Sequence, residues 1–215
     1  MIGVALALLL PSVLGWLVVA VLLKADRTTG VLERLCLSYP LGMSLVTMQM
    51  FVLGLLRVPL TPGLSVLPVV AEIVVLWYWL ARNQGLALPA PSLGLFQEMT
   101  STRNSPSKKI ALIFLTAWAF AKLASILVET GLRPLWAWDA WSVWSVGAKL
   151  FYHSGSLLLD GPGQDFFGRG AVRRYIAYPV HNPLMQVWIS HWVGRYDEIL
   201  VKFSTPFYLA SMSLY

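Results

Sequence analysis

The stretch LWAWDAWSVWSVGAKLFY, residues 135–152, follows an apolar run and opens a long segment with fewer apolar residues. It places one carboxylate, Asp139, among tryptophans. A helix through it would have one apolar and one polar side, as expected for a helix lying in the membrane interface. The apolar side would carry Trp141, Trp144, Ala148 and Phe151. The polar side would carry Ser142, Ser145, Lys149 and His153. An aromatic belt that only anchors the protein, with Asp139 as a helix N-cap, fits the same pattern, so both interpretations remain open.

The composition is that of an integral membrane protein. Hydrophobic residues make up 57% of the 215 residues and charged residues only 12%, whereas soluble domains carry about 25% charged residues. The net charge of +6 is therefore assigned to loops and lipid headgroups. We expect membrane lipid as a partner and no nucleic acid, because the chain lacks a basic run with interleaved aromatics. Its single cysteine, Cys36, excludes an intrachain disulfide, and no metal-ligand spacing is present.

Four apolar runs are long enough to cross a bilayer, which takes about 20 residues. They cover roughly residues 4–23, 36–56, 64–80 and 110–128. A further apolar run begins at residue 199 and spans at best marginally. We therefore predict an all-α, polytopic transmembrane helical bundle with interfacial amphipathic helices in a long extracytoplasmic loop.

The positive charge of the short links alternates from high to low to high. Basic residues favour the cytoplasmic side, so the first and third links are predicted to be cytoplasmic. The N-terminus and the Trp-rich loop then lie outside, in a bacterial inner or cell membrane. The basic residues are Lys24, Arg27 and Arg34 in the first link, Arg57 in the second, and Arg82, Arg103, Lys108 and Lys109 in the third.

Two apolar runs contain a charged residue. Glu72 lies near the start of its helix, where a structural role is favoured, and Lys122 must reach the interface or find a partner. Charged groups and proline-kinked helices are also found in transport pathways. Half of a membrane transporter therefore stays an alternative.

The loop after the Trp-rich stretch contains candidates for binding an anion. Arg173 and Arg174 are adjacent, and arginine forks hold phosphate oxygens well. Contact with anionic lipid headgroups explains the pair equally. Asn182 as N-cap and Pro183 in the first turn predict a second amphipathic helix. We expect that helix to stop at Gly194, and Asp197 to cap the next run.

Three motifs resemble a known family. They are WDAWxxWxxxAK at residues 138–149, YPxxxPLxQxW at residues 178–188, and GRYDExLVK at residues 194–202. Together they resemble bacterial multi-spanning glycosyltransferases of the GT-C class, close to the family 39 group with dolichyl-phosphate-mannose-type and aminoarabinose-type transferases. The resemblance covers residues 110–215. Residues 1–109 form an N-terminal three-helix membrane region and a cytoplasmic loop, and match none of its motifs.

The resemblance implies an enzyme that uses a polyprenyl-phosphate sugar on the extracytoplasmic side. Asp139 would be the general base, over a floor of surface-parallel helices. Positive charge for the departing phosphate and contacts to the sugar would come from the remaining candidates, and a divalent metal cofactor stays open. These candidates are Lys149, Arg173, Arg174, Tyr178, His181, Trp138 and Trp141.

Enzymes of this class have many more membrane helices than this sequence. We therefore expect it to be the N-terminal portion of a longer protein. A non-catalytic membrane scaffold or partner subunit, or a bundle completed by a second membrane chain, are the alternatives that the residues leave open.

Overall fold

The computed structural model describes residues 2–23, 30–84, 105–133, 144–157 and 179–214. These ranges are helical and contain no strand. A 3₁₀ turn, Leu200–Phe203, precedes the last described helix. The helices are α1 (Ile2–Leu22), α2 (Val31–Leu55), α3 (Pro62–Gln84), α4 (Pro106–Leu132), α5 (Val146–Ser154), α6 (His181–Val193) and α7 (Ser204–Leu214).

Helices α1 to α4 are long and apolar enough to cross a membrane, as predicted. All four begin before the apolar runs, and α2 and α4 do so by about one turn. Helix α2 starts at Val31 because Glu33 accepts a hydrogen bond from the Gly30 N–H at 2.9 Å, which closes its first turn. Helix α4 starts at Pro106, a residue suited to a first helical turn.

Helices α1 and α2 cross with their backbones in contact. A Cβ atom on Gly15 would lie 1.8 Å from the Ser38 carbonyl oxygen, and one on Gly42 would lie 1.7 Å from the Pro11 oxygen. Only glycine fits at either position. Gly15 and Gly42 therefore allow the close packing of α1 on α2.

Helix α6 is buried among the membrane helices. Residues 183–191 are all buried, so this helix lacks the exposed polar face expected for it. Its beginning also differs: Val180 is the N-cap, and the Asn182 side chain accepts a hydrogen bond from Gln186 instead. Polar groups are tolerated inside because they bond within the helix, as Ser190 does to the Gln186 carbonyl.

A proline in α1 creates the contact that holds α6. Pro11 has no N–H, so the Ala7 carbonyl one turn earlier loses its helical donor. The Trp188 indole N–H donates to that carbonyl at 2.8 Å. One turn further along α6, the Trp192 carbonyl faces Gly3. Helix α6 therefore runs antiparallel beside the start of α1 rather than parallel to a membrane surface.

Helix α5 keeps the predicted two-sided character where it is described. Ala148 and Phe151 are buried, Lys149 is half-buried and His153 is exposed. Ser145, expected on the polar side, is buried against Tyr196. The apolar side of α5 packs on α6, so protein rather than lipid covers it.

Several connections gather at one end of the bundle, which we call the upper end. The Leu60 N–H, in the link between α2 and α3, donates to the Gly155 carbonyl at 2.7 Å. The Lys202 ammonium bonds the Arg133 carbonyl at the end of α4. The start of α1, the end of α4, α5 and residues 194–203 therefore lie together.

The hydrogen bond between Trp188 and the Ala7 carbonyl leads to a testable prediction. Trp188→Phe should lower the free energy of unfolding by about 1–3 kcal/mol, because the buried Ala7 carbonyl then has no donor. Pro11→Ala supplies an N–H to that carbonyl, so Trp188→Phe should cost less in its background. Thermal denaturation of the purified protein in detergent measures both.

The matched control is Trp192→Phe. The Trp192 indole nitrogen is buried and has no hydrogen-bond partner among the described residues. Its removal should cost less than that of the Trp188 nitrogen. Equal losses for the two variants would contradict the role of the hydrogen bond.

Candidate functional site

An ion pair lies at the upper end, between α5 and the segment after α6. The Lys149 ammonium is 2.5 Å from a Glu198 carboxylate oxygen and 5.5 Å from the centre of the Tyr196 ring. The two charged side chains are 38% and 34% exposed. The pair is therefore open to solvent on one side and rests on an aromatic ring on the other.

The Tyr196 hydroxyl joins this pair to the buried side of α6. It donates to the Gln186 side-chain oxygen at 2.7 Å, and the Ser145 hydroxyl lies 2.6 Å away. Burial raises the pKa of Tyr196, so its single proton stays in place. The Tyr196 proton is donated to Gln186. The Ser145 hydroxyl therefore donates its own proton to the Tyr196 oxygen.

We call these five residues the Lys149 cluster: Ser145, Lys149, Gln186, Tyr196 and Glu198. They come from three separate parts of the sequence. Each of the three motifs, at residues 138–149, 178–188 and 194–202, contributes at least one of them. Hydrogen bonds join Ser145, Tyr196 and Gln186, and the ion pair joins Lys149 to Glu198. The two groups meet where the Lys149 ammonium lies over the Tyr196 ring.

A tight turn after α6 sets the positions of Tyr196 and Glu198. Gly194 ends the helix with a φ of 77°, in the left-handed region that glycine adopts readily. The Asp197 carboxylate then accepts the N–H groups of Ile199 and Leu200 at 3.0 and 3.1 Å. The predicted helix stop at Gly194 and the predicted cap at Asp197 are both confirmed.

A buried histidine lies on the same helix as Gln186. The ring of His191 is 5.8 Å from that of Tyr152, centre to centre. Burial lowers the pKa of His191 to about 4, and a hydrogen bond with the Leu60 backbone opposes that shift. Its Nδ1 atom has no partner among the described residues. The ring is therefore neutral at physiological pH.

The structure does not bring His181 into the Lys149 cluster. Its Nδ1 atom lies 2.6 Å from the Thr47 hydroxyl, and its Nε2 atom lies 3.1 Å from the Tyr208 hydroxyl. Burial lowers the pKa of His181. The neutral ring joins α2, α6 and α7, so its observed partners are structural.

Of the eight candidate residues, the structure describes Lys149 and His181. The other six lie outside the described residues and stay predictions: Trp138, Asp139, Trp141, Arg173, Arg174 and Tyr178. The sequence did not single out Tyr196 or Glu198 as candidates. Both stand within a motif, but only the fold reveals that they meet Lys149.

The charged residues of the apolar runs lie apart from the cluster. The Gln49 amide donates to the Glu72 carboxylate at 3.1 Å, and the Lys122 ammonium is 5.8 Å from the centre of the Trp118 ring. Glu72 and Lys122 therefore have different neighbours among the described residues. Within the described ranges, no three His, Cys, Asp or Glu residues group to hold a metal.

Comparison of the chain with family models, with curated proteins and with solved structures finds no match.

The tyrosine hydroxyl supports a prediction about the cluster. Tyr196→Phe should lower the free energy of unfolding by about 1–3 kcal/mol, because the buried Gln186 oxygen loses its donor. Tyr78→Phe is the control, since Tyr78 is exposed and its hydroxyl accepts a hydrogen bond from Arg82 on the same helix. Thermal denaturation in detergent compares them, and a loss no larger than that of Tyr78→Phe would contradict the network.

The depressed pKa of His191 predicts a loss of stability in acid. In the unfolded chain the pKa of His191 is ~6.5, whereas in the native protein it is about 4. As the pH falls, the unfolded state therefore binds the proton first. The stabilisation is therefore complete above pH ~6.5 and is lost as the pH falls toward the native value. Between pH ~7 and ~5 the protein should lose about 2 kcal/mol more than a His191→Asn variant.

Denaturation at several pH values measures this difference. His153→Asn is the control, because His153 is exposed. Parallel pH profiles for the protein and His191→Asn would show that His191 is not the group responsible.

Proposed function

We propose that this chain is the glycosyltransferase-like part of a membrane enzyme that moves a sugar from a polyprenyl-phosphate donor to an acceptor. The reaction takes place at the upper end of the bundle. One observation carries the proposal: residues from all three motifs of the resemblance meet in the Lys149 cluster.

This convergence is informative because nothing local requires it. Ser145 and Tyr196 are 51 positions apart in the sequence, and Lys149 and Glu198 are 49 apart. Segments that served only as membrane anchors would not need to join their polar side chains. A half-exposed ion pair on an aromatic ring is a reasonable place for an anionic sugar donor to bind.

The charge of the links supports an extracytoplasmic upper end. Helix α1 starts and α4 ends there, so the ends of α1 and α3, which precede the first and third links, lie at the opposite end. Those two links carry most of the basic residues of the short connections, which favours the cytoplasmic side for that end. In this arrangement α5 lies near the outer interface, where a lipid-linked donor presents its phosphate.

The chemistry follows from the charges. Asp139 takes the proton of the acceptor hydroxyl, and the acceptor oxygen attacks the anomeric carbon of the sugar. The bond from that carbon to the phosphate oxygen breaks, and polyprenyl phosphate leaves with the bonding electrons. Cationic groups stabilise the charge that develops on the phosphate. Lys149 supplies one of them, with Arg173 and Arg174 as further candidates.

Glu198 and Tyr196 have positioning roles in this proposal. The Glu198 carboxylate holds the Lys149 ammonium over the Tyr196 ring until a phosphate oxygen takes its place. Trp138, Trp141 and Tyr178 offer aromatic faces to the sugar. His181 contacts Thr47 and Tyr208, so it has no part in this mechanism.

The test measures transfer of labelled sugar from polyprenyl-phosphate donors into membrane acceptors by the full-length protein. A panel of mannose, glucose and aminoarabinose donors covers the resemblance. Asp139→Asn should reduce transfer by a factor of about 100 or more, since the general base is lost. Lys149→Met should also reduce it, through weaker stabilisation of the leaving phosphate.

Glu129→Gln is the matched control. It removes a carboxylate at the same end of the bundle, from an exposed pair with Arg133. Its transfer rate should equal that of the unmodified protein. Full activity of Asp139→Asn in equally expressed protein would refute the base assignment, and no transfer from any donor would refute the proposal.

A further inference from the structure

A carboxyl group lies near the middle of membrane helix α3. Glu72 is ten residues from Pro62 at the start of the helix and twelve from Gln84 at its end, rather than close to the start. At about 1.5 Å per residue it is ~15 Å or more from either end, which is half of the ~30 Å hydrocarbon thickness. At that depth a carboxyl group is favoured in its neutral form unless a cation or several donors replace its hydration.

The described surroundings of Glu72 supply one donor and no cation. The Gln49 side-chain nitrogen on α2 donates to a Glu72 carboxylate oxygen at 3.1 Å. The ion pairs among the described residues form elsewhere, at the upper end of the bundle. A single amide donor compensates a neutral carboxyl group much better than it compensates a full negative charge.

The titratable side chains of the helices around Glu72 have other neighbours or lie several turns away. Helix α1, on which α3 mainly packs, has no titratable side chain. The nearest others are Tyr39 on α2, Tyr78 and Arg82 on α3, and His181 and His191 on α6. Tyr39 is about three turns from the amide donor, Tyr78 and Arg82 bond each other, and the histidines contact α2, α5 and α7.

The Gln49 side-chain oxygen provides a second, independent observation. It is buried and has no hydrogen-bond donor among the described residues. An ionised carboxylate only accepts hydrogen bonds, whereas a protonated carboxyl group also carries one O–H donor. A neutral Glu72 therefore complements both parts of the amide, because its carbonyl accepts from the nitrogen and its hydroxyl can donate to the oxygen.

We propose that Glu72 and Gln49 form a proton-binding site within the membrane. The proton resides on Glu72 at neutral pH and makes the second hydrogen bond, to the Gln49 oxygen. Because Gln49 belongs to α2 and Glu72 to α3, the bound proton also joins the two helices. Loss of the proton leaves a carboxylate oxygen facing an amide oxygen, and their repulsion loosens α3 from α2.

Infrared spectroscopy of the full-length protein in lipid vesicles tests the protonation directly. A protonated carboxyl group has a carbonyl stretch distinct from the bands of carboxylates and amides, and exchange into deuterium oxide shifts it. At pH ~7, where a glutamate in water is ionised, this band should be present in the unmodified protein and lost in Glu72→Gln. The variant keeps a donor and an acceptor for the Gln49 amide, so we expect it to fold.

The matched control is Glu129→Gln. The Glu129 side chain is 60% exposed and pairs with Arg133. An exposed carboxylate beside a cation carries no proton at pH ~7, so this substitution should leave the carboxyl band unchanged.

A second variant tests the partner of the proton. Gln49→Met removes both hydrogen bonds and keeps a flexible side chain of similar length. The Glu72 band should remain but shift to higher frequency, because a hydrogen bond to a carbonyl oxygen weakens the C=O bond. Met48→Leu is the control, since Met48 is adjacent and 64% exposed, and it should not shift the band.

Two results would overturn the proposal. The first is the absence at pH ~7 of any carboxyl band that depends on Glu72, as expected if a cation elsewhere in the protein or in another chain keeps the group ionised. The second is a Glu72 band that Gln49→Met does not shift, which would exclude the amide as partner of the proton. Both results are independent of sugar transfer, because neither residue belongs to the Lys149 cluster.

Discussion

The hydrogen bond from Trp188 to the Ala7 carbonyl is the contact on which the upper end of this protein depends. Pro11 removes the helical donor of that carbonyl, and a membrane helix cannot leave such a group unsatisfied. The indole of α6 supplies the donor at 2.8 Å and is completely buried. The contact draws α6 into the bundle beside α1, and Gln186, two residues earlier on α6, is carried with it.

The Lys149 cluster follows from that placement. Helix α5 covers α6 and brings Ser145 and Lys149, and the turn at Gly194 and Asp197 brings Tyr196 and Glu198. The buried part of the cluster is neutral and fully hydrogen-bonded, whereas its charged part is open to solvent. This division leaves the ion pair accessible and keeps the amide and hydroxyl groups of Gln186, Tyr196 and Ser145 away from solvent.

The outer helices differ from the inner ones. In α2 and α6, Thr47, Gln186 and Ser190 form hydrogen bonds within the described chain. Helices α3 and α4 instead carry Glu72 and Lys122 at exposed positions. The inner helices therefore pack through buried polar contacts, and the ionisable groups of the outer helices lie on the outside of the described bundle.

The residue patterns predicted where helices lie and end better than they predicted which helices are buried. The four apolar runs, the stop at Gly194 and the cap at Asp197 follow from short-range rules on helix length and termination, and the structure confirms them. The burial of α6 was not predictable in this way, because its sequence looks amphipathic by itself. In the sequence, Gln186 and Ser190 look like a solvent-facing side. In the structure, Gln186 accepts a hydrogen bond from Tyr196 and Ser190 donates one to the helix backbone.

The sequence by itself determined that this is a membrane-type helical protein, since composition and run length decide which solvent a helix tolerates. It also determined which residue types are available for chemistry. Only the tertiary structure decided that Lys149 meets Glu198 and Tyr196 rather than His181, and that α6 lies along α1. Such contacts join residues far apart in the chain, and they depend on which backbone groups and cavities the other helices leave open.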